Sequence, residues 1–366
     1  MVIEQDDFGP ETILEVYDPK TGMRGFTCLF STVLGPAKGG IRMTTKVTRE
    51  EVFRLAREMA WKCAIADLPF GGGKSGIVAD GKHLPEAEKK AIVEAFSRAI
   101  ANVCPSKYVA APDVYMAERE MKWFAEANGD ARACTGKPAD MGGIPHEYGS
   151  TGFGVAHSTR VALAHAGINI NGASIAIEGF GNVGTFAMKF LTEWGAKVVA
   201  VTDSKGGIHD PAGLNYDELL KTKQETGSVV NHTKGDKISN EQIFGLEVDV
   251  LMPAALADVI HEENKNNVKA KIIVEGANIS MSYETEAELE GKGIVIVPDF
   301  VANAGGVISS YVEYVEGTVE QMWKMVEEKV VANTQLVLTR AKEKSITARA
   351  AALEIAQERI RAKRGY

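Results

Sequence analysis

Residues 175–184 read IAIEGFGNVG, an apolar run that leads into the glycine pattern GxGxxG. A helical pattern follows from Val183 to Trp194, and a second apolar run, Val198–Thr202, ends beside Asp203. The glycines permit a tight turn and close approach of a pyrophosphate, while the N-terminus of the following helix offers free N–H groups. An acid about 20 residues further along can accept hydrogen bonds from a ribose. The pattern predicts that a dinucleotide binds at Gly179, Phe180, Gly181, Asn182, Val183, Gly184, Asp203 and Ser204.

Two questions stay open at this dinucleotide site. A glycine-rich turn in another α/β protein would show the same six-residue pattern, but the strand, helix and acid around it together favour dinucleotide binding. For the cofactor itself, Asp203 would repel the 2′-phosphate of NADP, whereas Ser204 and Lys205 could bind it. We expect NAD or NADP as the cofactor, with NAD favoured.

The chain has 366 residues, which is too long for one typical hydrophobic core, so two domains are expected. Short β-branched runs alternate with helical patterns in the second half, as in a parallel, doubly wound sheet. These runs are Val248–Leu251, Ile272–Val274 and Ile294–Val297. We predict an α/β fold of two domains with a deep cleft between them. Its parts are an N-terminal α/β domain (1–148), a Rossmann-type domain (149–318) and C-terminal helices that pack back toward the first domain (319–366).

Composition and charge exclude several classes of protein. The formal net charge of −8 argues against a nucleic-acid partner, because phosphate binding requires clustered lysine and arginine. No apolar run approaches the roughly 20 residues of a membrane helix, and the acidic N-terminus lacks the apolar core of a secretory signal, so no membrane partner is expected. The histidines show no metal-binding spacing, so no metal is expected. The cysteines lack CxxC spacing, which indicates reduced thiols in a cytoplasmic protein.

The first half of the chain combines β-rich runs with two glycine clusters. A strand is predicted over residues 25–34, and a helix that starts with a capping box runs from Thr48 to about Ala66. The glycine clusters at 38–42 and 71–73 are interpreted as a turn and a loop. A further loop, rich in glycine and proline, is predicted from Gly136 to Tyr148.

The second glycine cluster ends in Lys74 but is not a phosphate loop, because a Walker A motif requires a glycine where Leu68 stands. Lysines are normally solvated surface residues, yet Lys62 lies in an apolar run and Lys74 among glycines, with Lys38 close by in the sequence. Mutual repulsion in a closed cleft would lower the pKa of such a lysine and allow it to transfer protons near neutral pH. Asp113, which follows a predicted strand, is a candidate proton partner or, taken alone, a turn-capping residue.

The order of these motifs resembles that of the glutamate/leucine/phenylalanine/valine dehydrogenase family. The resemblance covers nearly the whole chain and rests on the combination of motifs rather than on any one of them. In the first half the motifs are KGGIR at 38–42, MAWK at 59–62, GGGK at 71–74, PDV at 112–114 and TGKP at 135–138. In the second half they are TG at 151–152, GFGNVG at 179–184, PAA at 253–255, EGAN at 275–278 and NAGG at 303–306.

The resemblance implies an NAD(P)-dependent oxidative deamination of an L-amino acid to its 2-oxo acid. It implies that Lys74 is the catalytic lysine, that Asp113 transfers protons to and from the amino group, and that Lys62 holds the substrate α-carboxylate. Ala111 is expected at the substrate, and the first domain is expected to bind substrate and to form a homo-oligomer, with a hexamer favoured. Further cofactor residues implied by the resemblance are Thr151, Ala254, Asn278 and Asn303.

The side-chain pocket decides which amino acid is bound. Lys38 resembles the family lysine that pairs with a glutamate γ-carboxylate, and Ser310 resembles the serine that assists it. Because an unpaired buried ammonium would cost several kcal/mol, a lysine at this position favours L-glutamate. The short segment before the first strand resembles the leucine-type branch instead, so a leucine, valine or phenylalanine dehydrogenase is the alternative.

Two further alternatives are weaker. A non-catalytic, cofactor-binding paralogue would keep the fold, but the presence of both Lys74 and Asp113 argues against it. A generic hydroxy-acid dehydrogenase would explain the dinucleotide site but not the lysine cluster, because such enzymes commonly use a histidine base.

Overall fold

The computed structural model describes residues 5–145 and 148–365. Residues 146 and 147 of the predicted loop from Gly136 to Tyr148 lie outside the described residues. Residues 1–4 of the N-terminal segment also lie outside them. The chain forms two compact units. The first unit comprises the described residues up to Tyr148 together with Val307–Met322 and the residues from Leu353 onward, and the second comprises Gly149–Gly306 and Trp323–Ala352.

The first unit is built on a five-stranded sheet in the order β1-β2-β4-β3-β5. Strands β1 and β2 form an antiparallel hairpin, β2 and β4 are antiparallel, and β4, β3 and β5 are parallel. The strands are β1 (Thr12–Asp18), β2 (Met23–Ser31), β3 (Ala37–Met43), β4 (Gly71–Ile77) and β5 (Tyr108–Ala111). The helices among them are α1 (Arg49–Ile65), α2 (Glu86–Ala99) and α3 (Glu118–Asn128).

The two glycine clusters form neighbouring strands in the middle of this sheet, so their interpretation as a turn and a loop is wrong. The glycines of β3 and β4 meet crowded surroundings that leave no room for a side chain. A Cβ on Gly39 would overlap the carbonyl group of Gly73, and one on Gly72 would overlap Ala60 of α1. Glycine therefore lets β3, β4 and α1 approach one another closely, a requirement set by tertiary packing rather than by turn geometry.

The second unit contains a seven-stranded sheet in the order β12-β11-β10-β6-β7-β8-β9. It is parallel from β12 to β7, and β8 and β9 extend it as antiparallel strands. The strands are β6 (Ser174–Glu178), β7 (Lys197–Asp203), β8 (Gly206–His209), β9 (Asp236–Ile238), β10 (Val250–Pro253), β11 (Ile272–Val274) and β12 (Val295–Val297). The helices are α4 (Ser150–His165), α5 (Asn182–Glu193), α6 (Tyr216–Thr226), α7 (Tyr283–Gly291) and α8 (Asp299–Ala302). The α/β fold with a Rossmann-type, doubly wound sheet is confirmed.

Three helices complete the chain: α9 (Gly305–Tyr314), α10 (Val319–Lys344) and α11 (Ala348–Arg364). The contacts divide this region differently from the predicted break between residues 318 and 319. Val307–Met322 belongs to the first unit, where the ring of Phe70 packs edge-on against Tyr311 with a centroid distance of 5.5 Å. The stretch that starts at Trp323 belongs to the second unit, where the Trp323 and Phe153 rings lie 4.7 Å apart.

Each unit has its own apolar core. In the first unit the core packs around Phe96, Tyr108 and Phe124, all of which are completely buried. In the second unit the central parallel strands β10 and β11 are buried on both faces, as the apolar runs of a covered parallel sheet require. Within residues 5–145 and 148–365, no helix is both long and apolar enough to cross a membrane.

Candidate active site

Lys74 and Asp113 form a short ion pair in the first unit. Lys74 lies in the middle of β4, Asp113 follows β5, and its Oδ2 atom lies 2.6 Å from Lys74 Nζ. Gly40 of β3, the strand between them, makes this contact possible. A Cβ there would come within 2.9 Å of the Asp113 Cβ and 3.2 Å of Lys74 Nζ. The structure therefore brings together the two residues that the sequence predicted as a proton-transfer pair.

Arg42 is a third member of this cluster, and the sequence analysis did not single it out. Its Nε donates to the same Asp113 oxygen at 3.1 Å, and its Nη1 lies 2.6 Å from Glu51 Oε1 of α1. Alternate residues of a strand share one face of the sheet. Because Lys38, Gly40 and Arg42 alternate on β3, the period-2 pattern would have found Arg42 if this segment had been interpreted as a strand.

Burial and charge act in opposite directions on the two members of the pair. Burial lowers the pKa of Lys74, and the positive charge of Arg42 lowers it further, although the Asp113 carboxylate opposes both. Burial would raise the pKa of Asp113, but hydrogen bonds and charge from Lys74 and Arg42 outweigh it and lower the pKa. The pair is therefore an ionised aspartate next to a lysine that loses its proton more easily than an exposed lysine does.

Lys38 lies on β3 with a side chain that is only 1% exposed. Its Nζ donates to the Ala110 carbonyl and to Thr135 Oγ1, both at 2.7 Å. Burial lowers its pKa to about 8, although the nearby Glu313 carboxylate opposes this shift. The premise that this ammonium would be unpaired without an acidic substrate is wrong, because two protein oxygens already accept from it. An ammonium has three N–H donors, so one is left for a ligand.

Glu313 of α9 anchors the segment that contains Thr135. Its carboxylate accepts hydrogen bonds from the backbone of Gly136 at 2.9 Å and of Ile144 at 3.0 Å, and it pairs with Lys137 Nζ at 2.6 Å. Both members of this ion pair are buried. Neither was predicted as a site residue, because only the fold brings α9 onto a segment about 170 positions earlier.

The other predicted substrate residues lie on elements of the same unit. Lys62 is in the last turn of α1 and partly buried, and Ala111 is the last residue of β5 and partly buried. Ser310 is on α9 and partly buried. Their roles in substrate binding stay predictions.

The glycine pattern of the second unit forms the turn between β6 and α5. Gly179 has a φ of +101°, which glycine adopts readily, and its N–H donates to Thr202 Oγ1 at 3.2 Å. A Cβ on Gly184 would overlap the Gly179 carbonyl, whereas one on Gly181 would meet no atom within 4 Å. Gly181 thus faces open space at the N-terminus of α5, where the free N–H groups of a helix can receive a pyrophosphate.

The side-chain amide of Asn303 is a second feature of this unit that suits ligand binding. Its Nδ2 donates to Asn278 Oδ1 at 2.9 Å, which joins two of the predicted cofactor residues. Its Oδ1 is buried and has no hydrogen-bond partner within the described part of the chain. A buried amide oxygen in this state can accept a hydrogen bond from a ligand hydroxyl. Other predicted cofactor residues are the partly buried Thr151 and Ala254, the partly buried Asn182 and Val183, the buried Phe180, and the exposed Ser204.

Asp203 is the last residue of β7, as predicted, but its carboxylate already accepts four hydrogen bonds from other residues. Oδ1 accepts from the Lys205 backbone at 2.9 Å and from Ser228 Oγ at 3.0 Å, and Oδ2 accepts from Lys223 Nζ at 2.6 Å and from the Val229 backbone at 2.8 Å. Burial would raise the pKa of Asp203, but these hydrogen bonds, led by that from Lys223, lower it. Lys223 and Ser228 have no local sequence signal that links them to Asp203.

A buried charge cluster contacts the segment that carries Asn278. Arg349 contacts the carboxylates of Glu275, Glu286 and Asp299. Burial and the two neighbouring carboxylates raise the pKa of Glu275 well above its usual range. Asp299 also accepts from the Ile279 backbone at 2.9 Å, so the cluster fixes the segment between residues 275 and 279.

Comparisons with known proteins agree over most of the chain. The model of the Glu/Leu/Phe/Val dehydrogenase dimerisation domain matches residues 10–129, and the glutamate/leucine/phenylalanine/valine dehydrogenase model matches residues 142–365. A glutamate dehydrogenase from Aeropyrum pernix is 41% identical over 353 residues, which cover 92% of this chain and 84% of the relative. An NADP-specific glutamate dehydrogenase from Saccharolobus shibatae is 40% identical over 297 residues, which cover 79% of this chain and 70% of the relative.

The similarity to a solved structure supports the same family. A hetero-hexameric glutamate dehydrogenase from Thermus thermophilus, with leucine bound, superposes with a TM-score of 0.85 at 30% identity, covering 98% of this chain and 90% of that chain. The Lys74–Asp113 ion pair in the first unit and the glycine turn in the second are the features that the sequence predicted for such an enzyme. The chain therefore belongs to the glutamate/leucine/phenylalanine/valine dehydrogenase family, and it is an NAD(P)-dependent amino-acid dehydrogenase.

Proposed function

We propose that the chain catalyses the reversible oxidative deamination of L-glutamate to 2-oxoglutarate and ammonia. The observation that carries the choice of glutamate is Lys38, a buried ammonium with two protein acceptors and one N–H left for a substrate carboxylate. Leucine, valine or phenylalanine would leave that donor facing an apolar side chain, which is unfavourable. Relatives about 40% identical are glutamate dehydrogenases, which supports the same substrate.

We assign the proton transfers to the Lys74–Asp113 pair. Asp113, held ionised by Lys74 and Arg42, accepts a proton from the substrate ammonium, so that the nitrogen lone pair assists hydride loss from Cα. Bound NAD(P) supplies the hydride acceptor. Lys74 in its neutral form then removes a proton from the water that attacks the iminium carbon, which gives a carbinolamine. Asp113 returns its proton to the carbinolamine nitrogen, and the C–N bond breaks to release ammonia. The hydroxyl proton passes to the Asp113 carboxylate as the carbonyl of the 2-oxo acid forms, and both residues then release their protons to solvent. Burial lowers the pKa of Lys74, so this neutral form is more accessible than that of an exposed lysine.

The remaining predicted residues position substrate and cofactor. We assign the α-carboxylate to Lys62 and the γ-carboxylate to Lys38, assisted by Ser310, with Ala111 next to the substrate. In the second unit the Gly179–Gly184 turn would hold the pyrophosphate. Thr151, Ala254, Asn278 and Asn303 would surround the nicotinamide ribose, for which the unpaired Asn303 Oδ1 is a suitable acceptor. The preference for NAD that the sequence suggested depends on Asp203, whose carboxylate oxygens already have other partners.

We also propose a homo-oligomer, for which a hexamer is the expected form. The match of residues 10–129 to a dimerisation-domain model supports assembly, and a solved relative is hetero-hexameric. A mass measurement in solution tests this proposal. The cytoplasmic location stays a prediction, for which four buried, unpaired thiols are a favourable observation.

The proposed reaction is tested by following 2-oxoglutarate formation from L-glutamate with NAD and with NADP. The wild-type chain should form product with at least one cofactor. Lys74→Met should lower kcat by about 10²- to 10⁴-fold, because it removes the base that activates water. Lys46→Met is the matched control, since Lys46 is exposed and outside the cluster. Absence of 2-oxoglutarate with both cofactors, or a Lys74→Met variant as active as the control, would contradict the proposal.

A further inference from the structure

We propose that Glu313 is a positioning residue for the second carboxylate of the substrate. It holds the segment that carries Thr135 in place, and its negative charge favours the protonated form of Lys38. The inference rests on the proposed function, because it concerns the lysine assigned to the γ-carboxylate of glutamate. Glu313 acts through Lys38 rather than by contact with the substrate, and it explains how a lysine this deeply buried can carry a charge.

The two oxygens that hold Lys38 lie where residues 134–144 join β5. Thr135 donates its backbone N–H to the Ala110 carbonyl at 3.0 Å, and Cys134 forms a parallel bridge with Ala110. The same Ala110 carbonyl and the Thr135 hydroxyl accept from Lys38 Nζ, both at 2.7 Å. A displacement of this segment would therefore move Thr135 Oγ1 away from the ammonium and change the direction of its remaining N–H.

Glu313 fixes both ends of this segment to α9. Its Oε2 accepts from the Gly136 N–H at 2.9 Å and from the Ile144 N–H at 3.0 Å. Its Oε1 accepts from Lys137 Nζ at 2.6 Å and from the Lys137 N–H at 3.4 Å. These four donors fill the acceptor positions of one carboxylate. The Glu313 side chain is only 2% exposed, so water cannot replace these hydrogen bonds.

The charge of Glu313 also acts on Lys38. Burial lowers the pKa of Lys38 to about 8, and among the charges around it the Glu313 carboxylate opposes this shift most. The Lys137 ammonium acts in the opposite direction, and the thiols of Cys63 and Cys134 also face Lys38. Burial raises the pKa of both thiols to about 12, so they are neutral where Lys38 titrates. The charge of Lys38 thus depends on the balance between Glu313 and Lys137.

This balance predicts opposite effects for the two members of the buried Lys137–Glu313 pair. Without the Glu313 carboxylate, the Lys137 ammonium acts on Lys38 unopposed, and Lys38 loses its proton at lower pH. Without the Lys137 ammonium, the carboxylate acts unopposed, and Lys38 keeps its proton to higher pH. A purely structural role would weaken substrate binding in both variants and leave the pH at which Lys38 titrates unchanged.

The test is calorimetric titration of the full-length chain, with NADH or NADPH bound, with glutarate and with valerate from pH 6.5 to pH 9.5. These five-carbon acids differ in the second carboxylate. The wild type should bind glutarate at least about tenfold more tightly at pH 6.5, and this preference should fall as the pH rises through about 8. Glu313→Gln should move the midpoint of this fall at least about half a pH unit lower, and Lys137→Met a similar amount higher. Glu316→Gln, at an exposed position just after α9, is the matched control and should leave the midpoint in place.

The double variant Glu313→Gln/Lys137→Met separates charge from structure. It removes one carboxylate and one ammonium together, so the midpoint should return close to that of the wild type. Three results would each overturn the proposal: a wild type that binds valerate as tightly as glutarate, a Glu313→Gln midpoint that is unchanged or higher, or a Lys137→Met midpoint that is unchanged or lower. The Lys137→Met arm decides the question if Glu313→Gln does not fold. None of these titrations requires turnover, so absence of 2-oxoglutarate formation together with the expected shifts would count against the proposed reaction alone.

Discussion

At the scale of residues, the charge of Arg42 shifts the pKa of both members of the proposed catalytic pair, Lys74 and Asp113. Arg42 donates to the Asp113 oxygen that also contacts Lys74, and its positive charge lowers the pKa of both groups. Arg42→Met should therefore raise both pKa values and move the whole pH profile of kcat/KM to higher pH, by roughly 0.5–1 unit. Arg49→Met, which removes an exposed arginine paired with Glu50, should leave the profile in place. If the pH profile of kcat/KM for Arg42→Met stayed where the wild-type profile lies, Arg42 would have only a structural role.

Lys38 gives a second prediction at the residue scale. Its pKa of about 8 means that the unliganded enzyme loses this positive charge as the pH rises through 8. A lysine must be protonated to attract the γ-carboxylate, so kcat/KM for glutamate should fall more steeply above pH 8 than kcat/KM for norvaline, which lacks that carboxylate. The ratio of the two constants, measured from pH 7 to pH 10, checks this. A ratio that stays constant with pH would mean that the Lys38 charge does not meet the substrate.

The sequence could indicate Lys74 and Asp113 because each stands in an unusual local setting, a lysine among glycines and an aspartate after a strand and a proline. Their contact at 2.6 Å agrees with that indication. The sequence could not indicate Thr135 or Lys223, because each is recruited by a partner that only the folded chain brings near. The acceptors around Lys38 and the donors around Asp203 could not be predicted from the sequence either, since only the folded chain brings them together.

At the scale of elements, the parallel sheet of the second unit was the part most readily predicted. Strand β11 occupies the predicted residues Ile272–Val274, since an apolar β-branched run buried on both faces leaves an unambiguous pattern. Strands β3 and β4 were missed because their glycines suggest turns when judged locally. Close packing of β4 against α1 at Gly72 selects glycine there for its size instead.

The buried charge cluster around Arg349 predicts a large stability effect at this scale. Arg349 is 6% exposed and contacts three acidic side chains that are almost completely buried: Glu275, Glu286 and Asp299. Arg349→Met should lower the free energy of unfolding by about 3–5 kcal/mol, because it leaves buried carboxylates without a counter-charge. Lys324→Met, at a 77% exposed position, should change it by less than about 1 kcal/mol. Denaturant titration measures both, and equal effects would contradict the compensating role of Arg349.

At the scale of the whole molecule, length and the position of the glycine pattern sufficed to predict two domains, one of them Rossmann-type. The assignment of the last 60 residues could not be obtained in this way. Tyr311 and Tyr314 pack on Phe70, and Trp323 packs on Phe153, so neighbouring stretches of sequence join different units. Such aromatic contacts connect residues more than 150 positions apart and leave no periodic signal.

The central claim is that this dehydrogenase selects L-glutamate through Lys38. The most direct test is the ratio of kcat/KM for glutamate to kcat/KM for leucine in the wild type and in Lys38→Leu. The wild-type ratio should be about 10³ or higher, and Lys38→Leu should lower it at least about 100-fold, because a polar site discriminates strongly against a substrate that cannot satisfy it. A wild type that prefers leucine, or a Lys38→Leu variant that keeps the wild-type ratio, would contradict the claim.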